Sequence, residues 1–413
     1  MNSVGDKPDK PRIALLFRYG PAEHTELFHA MPNIVEALAQ ELEVHYFGLK
    51  SKRPIPDTIQ ANAQVHQLPL YVDRTSTADK LWKTFIWLLW LPWIGLWCRW
   101  HRVRAMYIDE TIPLTAPLAR IFFGPRVAIT VADFFMDIYA EQYRWLLWTG
   151  GWVKRADLWA WRRLPLLFTR ARNTRTYLVA RGVPAAHVHP VYDPCDLNRY
   201  YPMDQQAARA ALGIADDAIV LVHHGILHPN KGNHRILEAI AASRDQFPRL
   251  LYLLIGDGPD MPRLRKQVRD LGLEQQVKFT GWLETLEEVN QALNAGNIGL
   301  VMRIGQPSDD FHMTGALVHS MACGLPILAA RLAGVAEVVQ DDVNGYLFDP
   351  HTLNDFPAQL HRLYNDPALR KKLGDQALTD AREHFDLDAV TRQTVKPLLD
   401  LCRDATGYRP NTG

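Results

Sequence analysis

The sequence predicts an α/β fold built from two doubly wound parallel sheets. The chain has 413 residues, more than one hydrophobic core usually serves, so two domains are expected. Short apolar runs alternate with amphipathic segments, a pattern typical of parallel strands joined by helices. The alternation occurs in two series, separated by a segment that contains Pro194. We therefore expect a first domain at 1–190 and a second at 191–385.

The first series opens with a buried strand at 12–17, followed by a helix around 27–42 and a strand at 44–47. A later strand, Val127–Val131, leads towards Asp133. Ligands of parallel sheets bind at the carboxyl ends of the strands. Asp133 is therefore a candidate general base or orienting group for a bound substrate. The alternative interpretation is that Asp133 only caps a helix.

The second series contains strands at 219–223, Leu250–Ile255, 277–280 and 298–302, again separated by amphipathic segments. With parallel strands in both domains, we expect ligands at the carboxyl edges, in a cleft where the two domains face each other.

Residues 297–329 are the most informative segment, because their pattern is strand, polar loop, helix and strand. Thr314 and Gly315 begin the predicted helix, and Gly324 ends it. Unpaired N–H groups and the helix dipole bind anions such as phosphate at a helix start. The same residues would also serve as a plain helix cap, so the helix start alone is a weak signal.

Six motifs occur in register in the second half, at 225–232, 254–259, 279–282, 319–327, 334–338 and 344–348. Together they resemble the retaining GT-B glycosyltransferases of family 4, also called glycosyltransferase group 1. The resemblance implies two Rossmann-like domains that face a cleft, and a C-terminal segment, 386–413, whose helix returns to the N-terminal domain. It also implies a nucleotide-sugar donor bound by the C-terminal domain.

Sugar transfer from such a donor needs groups that neutralise the diphosphate leaving group. Lys231 supplies a cation in the matched loop. His312 lies in the polar loop beside the expected sugar position, and we include it with Lys231 and Asp133 as a candidate catalytic residue. The predicted donor-binding residues are Gly225, Lys231, Gly256, Gly258, Gly281, Trp282, Met313, Thr314, Gly315, Ala316 and His319.

The chain departs from the family at four positions. Ile226 replaces the arginine of the phosphate loop, His319 replaces the ribose-binding glutamate, Phe311 occupies the position of the sugar-binding glutamate, and Ala132 that of a histidine. Two alternatives therefore remain open. A catalytically silent binding or scaffold protein would bind a donor without turnover, or bind none, and a nucleotide-sugar epimerase would convert the donor without an acceptor.

Neither a metal nor another cofactor is expected. His223, His224 and His228 resemble a zinc-binding set by residue type, but they have no nearby carboxylates in the sequence and lie on a strand and its following loop. The free cation and the helix start can neutralise a diphosphate without Mg²⁺. Lys231 could also be an ordinary solvated lysine, and His319 a core histidine.

Tryptophan placement is the second informative feature, since eleven of twelve tryptophans lie between Trp82 and Trp161. The run 85–98 carries no charge, and at 14 residues with a central Pro92 it is too short to span a bilayer. Tryptophan beside cations favours the surface of an anionic membrane, although an aromatic core or a dimer face would give the same composition. The predicted acceptor or membrane residues are Trp87, Trp90, Trp93, Trp97, Arg99 and Arg102.

Charge and cysteine usage limit the setting. Residues 80–175 hold 15 Lys or Arg against 6 Asp or Glu, yet no helix-turn-helix, zinc-finger or aromatic RNA-binding pattern accompanies them, so no nucleic-acid partner is expected. Four scattered cysteines and a polar N-terminus without a signal-peptide core favour the cytoplasm. The sequence predicts a glycosyltransferase, peripheral on the inner membrane face, that glycosylates a lipid-linked saccharide, with a polyprenyl diphosphate as the expected carrier.

Overall fold

The computed structural model describes residues 10–21, 30–71, 77–109, 112–132, 147–311 and 313–403. The chain divides into two compact units. The first contains Met1–Val191 with Asp388–Gly413, and the second is Tyr192–Leu387. Each unit has its own parallel sheet.

The sheet of the first unit has seven strands in the order β3-β2-β1-β4-β5-β6-β7. All neighbouring strands are parallel, and the order reverses between β1 and β4. The strands are β1 Arg12–Leu16, β2 Glu43–Lys50, β3 Gln64–Tyr71, β4 Val103–Ile108, β5 Val127–Val131, β6 Leu166–Thr169 and β7 Val188–Pro190.

The sheet of the second unit has six parallel strands in the order β10-β9-β8-β11-β12-β13. Counted within the unit this is the order 3-2-1-4-5-6 of a dinucleotide-binding sheet, with its switch point between β8 and β11. The strands are β8 Ile219–His224, β9 Leu250–Ile255, β10 Val277–Gly281, β11 Ile298–Val301, β12 Ile327–Ala330 and β13 Gly345–Phe348.

Helices connect these strands and cover the sheets. In chain order they are α1 Met31–Ala39, α2 Asp57–Asn62, α3 Thr77–Trp100, α4 Thr115–Phe122, α5 Leu147–Trp161, α6 Arg172–Ala180, α7 Gln205–Leu212, α8 Asn233–Ala242, α9 Met261–Asp270, α10 Leu286–Asn294, α11 Gly315–Ala322, α12 Ala333–Ala336, α13 Phe356–Asn365, α14 Pro367–His384 and α15 Leu387–Arg403. From Asp388 onward, α15 clusters with the first unit.

The predicted strands are present. β5 and β9 have the predicted bounds, because both are uninterrupted apolar runs and are buried almost throughout. The predicted doubly wound α/β class is confirmed by the parallel pairing in both sheets.

Helix α3 corrects one prediction. The charge-free run at 85–98 was expected to be too short for a bilayer, but the helix continues on both sides and has 24 residues. The stretch Leu81–Trp100 is long and apolar enough to cross a membrane by length and composition alone. One face of α3 is nevertheless buried within the first unit, as Trp87, Ile94 and Cys98 show.

Candidate functional site

Two glycine turns meet at the carboxyl edge of the second sheet. Gly225 follows β8 and Gly256 follows β9, and both have positive φ, 123° and 122°. A Cβ on Gly256 would lie 2.3 Å from the carbonyl oxygen of Gly225, and one on Gly258 would lie 2.4 Å from that of Leu227. Backbone bonds from Gly225 N to Ile255 O and from Leu227 N to Asp257 O, both 2.9 Å, join the turns. Only glycine permits this approach of two backbones.

Lys231 lies just after the β8 turn, at the end of a short 3-10 helix, Pro229–Lys231, and immediately before α8. The pKa of Lys231 is lowered from 10.5 to about 8, chiefly by burial and then by the nearby charge of Arg303, while Asp309 partly offsets both effects. A lysine held in such surroundings is poised to receive an anion.

Arg303 follows β11, the strand beside β8 across the switch point. Its Nη1 donates to Oδ1 of Asp309 at 2.9 Å, and both side chains are largely buried. Asp309 Oδ2 also accepts from the N–H of Gln306 at 3.0 Å. The residues at 302–304 lie directly against the Lys231 loop, since Ile304 N donates to Asn230 O at 3.1 Å.

Helix α11 begins at Gly315 with Thr314 as its N-cap, and the Thr314 side chain makes no capping hydrogen bond. A Cβ on Gly315 would lie 3.3 Å from Cε1 of His319, so the imidazole folds back over the first turn. Tyr200 stacks on the other side of His319, with ring centroids 3.8 Å apart and planes 6° apart. The first turn of α11 is therefore flanked by an aromatic pair.

Two further histidines, the buried His223 and the partly buried His224, lie near this pair and near Lys231. His224 contacts His319 edge-on, with centroids 5.3 Å apart. Burial, followed by the charge of Lys231, lowers the pKa of His223 to about 3 and that of His224 to about 4. Burial also lowers the pKa of His319 well below its ordinary value. All three are neutral at pH 7, so they leave the positive charge of the site to Lys231 and Arg303.

The carboxyl end of β10 completes this edge. Thr280 Oγ1 accepts from the N–H of Gly256 at 3.2 Å, which ties the β10 end to the β9 turn. Gly281 has a φ of 73°, and Trp282 after it is 58% exposed. An exposed indole at this sheet edge offers a stacking surface for a planar ring.

The family model for Glycosyl transferases group 1 matches residues 204–380, which include Lys231, Arg303 and the whole of α11. We call this region the group 1 domain, after the family model that it matches. A relative of similar sequence is the D-inositol 3-phosphate glycosyltransferase of Streptomyces bingchenggensis, 32% identical over 234 residues. The alignment covers 54% of this chain and 49% of the relative, so the chain spans about half the relative's length.

Solved structures resemble the chain over nearly its whole length. Sucrose-phosphate synthase from Thermosynechococcus elongatus has a TM-score of 0.75 at 19% identity, covering 95% of this chain and 99% of that one. Anabaena Alr3699/HepE, solved with UDP and glucose, has a TM-score of 0.68 at 19% identity, covering 94% and 99%. These likenesses confirm the predicted GT-B fold with its two Rossmann-like units.

The group 1 domain brings most of the predicted donor-binding residues to one sheet edge. Gly225, Gly256 and Gly281 end adjacent strands, and Lys231 and the α11 start lie beyond β8 and β11. Met313 and Thr314 are buried, whereas Gly315 and Ala316 are partly exposed at the helix start. The predicted catalytic residues Asp133 and His312 lie outside the described residues.

Two carboxylates lie just before Phe311, the position of the family's sugar-binding glutamate, and both are engaged elsewhere. Asp309 is 2% exposed and held by Arg303, as described above. Asp310 Oδ1 accepts from the N–H of Ala333 at 3.0 Å, at the start of α12. Neither carboxylate is therefore placed to replace the family's glutamate, because both already have structural partners.

The predicted acceptor and membrane residues divide into two groups. Trp87 is fully buried, so the lipid contact predicted for it is wrong. Trp97 is partly buried and packs edge-on against His66, with centroids 4.9 Å apart. Trp93 is 45% exposed and contacts the partly exposed Trp90. Arg99 and Arg102 are exposed.

Sequence reasoning missed a polar network at the carboxyl edge of the first sheet. The hydroxyl of Tyr107 in β4 lies 2.9 Å from Asp109 Oδ1 and 2.8 Å from Thr130 Oγ1 in β5. Arg170, just after β6, donates from Nη2 to Asp109 at 3.2 Å. Burial and the neighbouring Asp109 raise the pKa of Tyr107 well above 10. The sequence signal for this network was a polar residue directly after each of two buried strands, Asp109 after β4 and Arg170 after β6.

Arg303 in the group 1 domain was also missed. Its signal was an arginine directly after the apolar strand β11, at the position where ligands of a doubly wound sheet bind. Among the residues that the structure describes, no group of three or more His, Cys, Asp or Glu is placed to hold a metal ion.

The lowered pKa of Lys231 leads to a pH prediction for the group 1 domain. Its pKa is about 8 in the folded chain and 10.5 in the reference state, so the unfolded chain binds more protons between those values, and the contribution of this group to folding stability rises with pH. Diphosphate binding has the opposite dependence, because it requires the charged amine. We expect the affinity for inorganic pyrophosphate to fall by up to about tenfold per pH unit above pH 8.

Isothermal titration at pH 7.5, 8.5 and 9.5 would measure this decline. The control is Lys231→Arg, whose guanidinium stays protonated over the whole range. An equal decline in that variant would contradict the assignment of the pH dependence to Lys231.

Proposed function

We propose that this protein is a glycosyltransferase that transfers a sugar from a nucleotide-sugar donor held by its group 1 domain. The observation that carries the proposal is the convergence of Lys231, the uncapped start of α11 and two glycine turns at one sheet edge. A cation, free N–H groups and closely approached backbone together form a site for a diphosphate.

The reaction breaks the bond between the anomeric carbon and the oxygen of the donor's terminal phosphate. The departing nucleoside diphosphate gains one negative charge, and the acceptor hydroxyl loses its proton as the new glycosidic bond forms. Lys231 and the N–H groups of Gly315 and Ala316 would stabilise this charge, because they are fixed in place before it develops. We propose the retaining outcome, in which the departing phosphate accepts the acceptor's proton.

Two aromatic groups complete the donor site in this proposal. Trp282 would stack on the nucleobase, since its indole is exposed beside the β9 and β10 turns. His319 would contact the ribose or the phosphate through its buried Nδ1, for which the structure shows no hydrogen-bond partner among the described residues. A neutral imidazole can donate or accept there, unlike a carboxylate.

A thermal-shift screen against UDP-, GDP- and ADP-sugars tests the donor assignment, because a ligand that binds only the folded state raises the melting temperature. We expect the sugars of one nucleotide to raise the melting temperature. We also expect the sugar to leave the donor only when an acceptor is present. A shift without turnover on any acceptor would favour a silent binding protein, and conversion of the donor alone would favour an epimerase.

The acceptor side of the proposal rests on α3. The apolar side chains of one face are exposed at near-helical spacing, between 45% and 86%: Leu81, Trp82, Phe85, Leu89, Trp93, Leu96 and Trp100. Ile121 of the adjoining α4 and Trp152 of α5 are also exposed, at 58% and 55%. So much exposed aromatic and aliphatic surface on one unit is unusual for a freely soluble domain.

We assign this apolar face to an anionic membrane surface. Exposed cations lie on the same helices and the turns that follow them: Arg99, Arg102, Lys154, Arg155, Arg162 and Arg163. Tryptophan and basic side chains together favour the boundary between acyl chains and anionic headgroups. Because the opposite face of α3 packs within its own unit, α3 would lie in the plane of the membrane.

In this proposal the first unit takes a membrane-associated acceptor and the second unit takes the donor. A saccharide on a polyprenyl diphosphate fits, since the apolar face would accommodate its lipid and the basic surplus would attract its phosphates. Assembly of a polysaccharide or cell envelope on the cytoplasmic membrane face is the corresponding setting. Transfer to a lipid-linked acceptor in vesicles, compared with a soluble analogue, measures this preference.

A further inference from the structure

The buried charges around Lys231 are not balanced. Lys231 and Arg303 both carry a positive charge, and among the described residues Asp309 is the carboxylate that lies against them. The neighbouring histidines His223 and His224 are neutral, so they add nothing to either side. Burying an uncompensated charge is unfavourable, so an excess of one cation here indicates an anionic ligand.

The guanidinium of Arg303 has more N–H donors than Asp309 uses. Its side chain is 11% exposed, and Nη1 is used by Asp309. Its Nε is buried, and within the described part of the chain no acceptor is paired with it. A guanidinium presents five N–H donors in a planar fork that matches two oxygens of a phosphate. A buried donor of this kind needs a hydrogen-bond acceptor, which the described residues do not supply.

Backbone packing holds Arg303 beside the Lys231 loop. Ile304 N donates to Asn230 O at 3.1 Å. A Cβ on Gly232 would lie 2.9 Å from Cε of Met302 and 3.3 Å from Cγ2 of Ile304, so the two segments are in direct contact. The segments follow β8 and β11, the neighbouring strands at the switch point of the sheet.

The turn after β8 offers no cation of its own before Lys231. Ile226, in the middle of that turn, is apolar and 56% exposed. The segment after the neighbouring strand β11 supplies a further cation, Arg303.

We propose that Arg303 is a second diphosphate-binding cation of the donor site, with Asp309 as the positioning residue that holds its guanidinium. This inference rests on the proposed function, because the diphosphate is the donor's. Arg303 would donate hydrogen bonds to two oxygens of the diphosphate through the N–H groups of its planar guanidinium, whereas Lys231 supplies a point charge. The two cations together would outweigh Asp309 and stabilise the leaving group.

The test removes the ion pair as a unit, because Arg303→Gln alone would leave a buried carboxylate unpaired. The double variant Arg303→Gln with Asp309→Asn is titrated with inorganic pyrophosphate, UDP and uridine. We expect its affinity for pyrophosphate and UDP to fall at least about tenfold, with uridine binding unchanged. Arg303→Lys keeps the charge but not the fork, and we expect an intermediate loss.

The matched control is Arg362→Gln with Asp342→Asn, an exposed arginine–aspartate pair of the same unit next to the amino end of β13. The Arg303 assignment alone would be overturned by two results together. Both Arg303 variants would bind pyrophosphate as tightly as the wild type, and Lys231→Ala would lose binding. Wild-type protein that binds none of pyrophosphate, UDP, GDP or ADP would overturn the proposed function, and this assignment with it.

If the double variant does not fold, Arg303→Lys decides the question. Its ammonium can still pair with Asp309, so the fold is retained, but it cannot bind two phosphate oxygens in one plane. A measurable loss of pyrophosphate affinity supports the proposal, and no loss contradicts it.

Discussion

Lys231→Ala is expected to reduce kcat/KM for sugar transfer by about 100- to 1000-fold, because it removes a fixed charge that stabilises the leaving diphosphate. The fold should persist. Asp309 keeps its bond to Arg303, and the variant no longer buries an amine whose pKa is lowered by burial. Initial rates over a range of donor concentrations separate the loss in kcat from the loss in donor affinity.

The matched control is Lys371→Ala, which removes an exposed lysine ion-paired with Asp375 on α14 of the same unit. It should retain full activity. Lys231→Arg keeps a cation and should retain more activity than Lys231→Ala. Near-normal turnover in a well-folded Lys231→Ala protein would show that the diphosphate is bound elsewhere.

The second large effect concerns membrane binding. Replacing Trp82, Leu89, Trp93 and Leu96 with glutamine removes four exposed apolar side chains from α3 and keeps good helix formers in their places. Each half-exposed side chain contributes about 1 kcal/mol when it enters the membrane, so binding to phosphatidylglycerol vesicles should fall on the order of 100-fold or more. Co-sedimentation measures the bound fraction.

The control replaces three exposed apolar residues that do not belong to α3, Tyr71, Tyr201 and Val343, with glutamine. It should sediment with vesicles like the wild type. Binding should also weaken at high salt and on phosphatidylcholine, because the basic residues on and beside α3 and α5 contribute by attraction to anionic headgroups. Equal sedimentation of the four-residue variant and the wild type would contradict a membrane role for α3.

Much of the fold could be predicted because its strands are distinct in the sequence. Leu250–Ile255 is a continuous apolar run that ends at a glycine, and a strand buried on both faces requires that pattern. Helix α3 was harder. Its buried and exposed faces are both apolar, so no 3.6-residue alternation marks the helix or shows that Trp87 points inward and Trp93 outward.

The candidate site was predictable only in part, for a related reason. Gly256 and Lys231 belong to local motifs, and their roles follow from the turn geometry that those motifs require. The importance of Arg303 depends on β8 and β11 being neighbours, a long-range pairing that no local pattern specifies. The partners of Asp309 and Asp310 are likewise set by the path of the loop after β11.

The most direct measurement is a crystal structure of the protein with a bound nucleoside diphosphate, UDP being the first choice. We predict phosphate oxygens within about 3 Å of Lys231 Nζ and of the amides of Gly315 and Ala316. A diphosphate bound away from these groups, with the Lys231 amine turned from the sheet edge, would contradict the donor site.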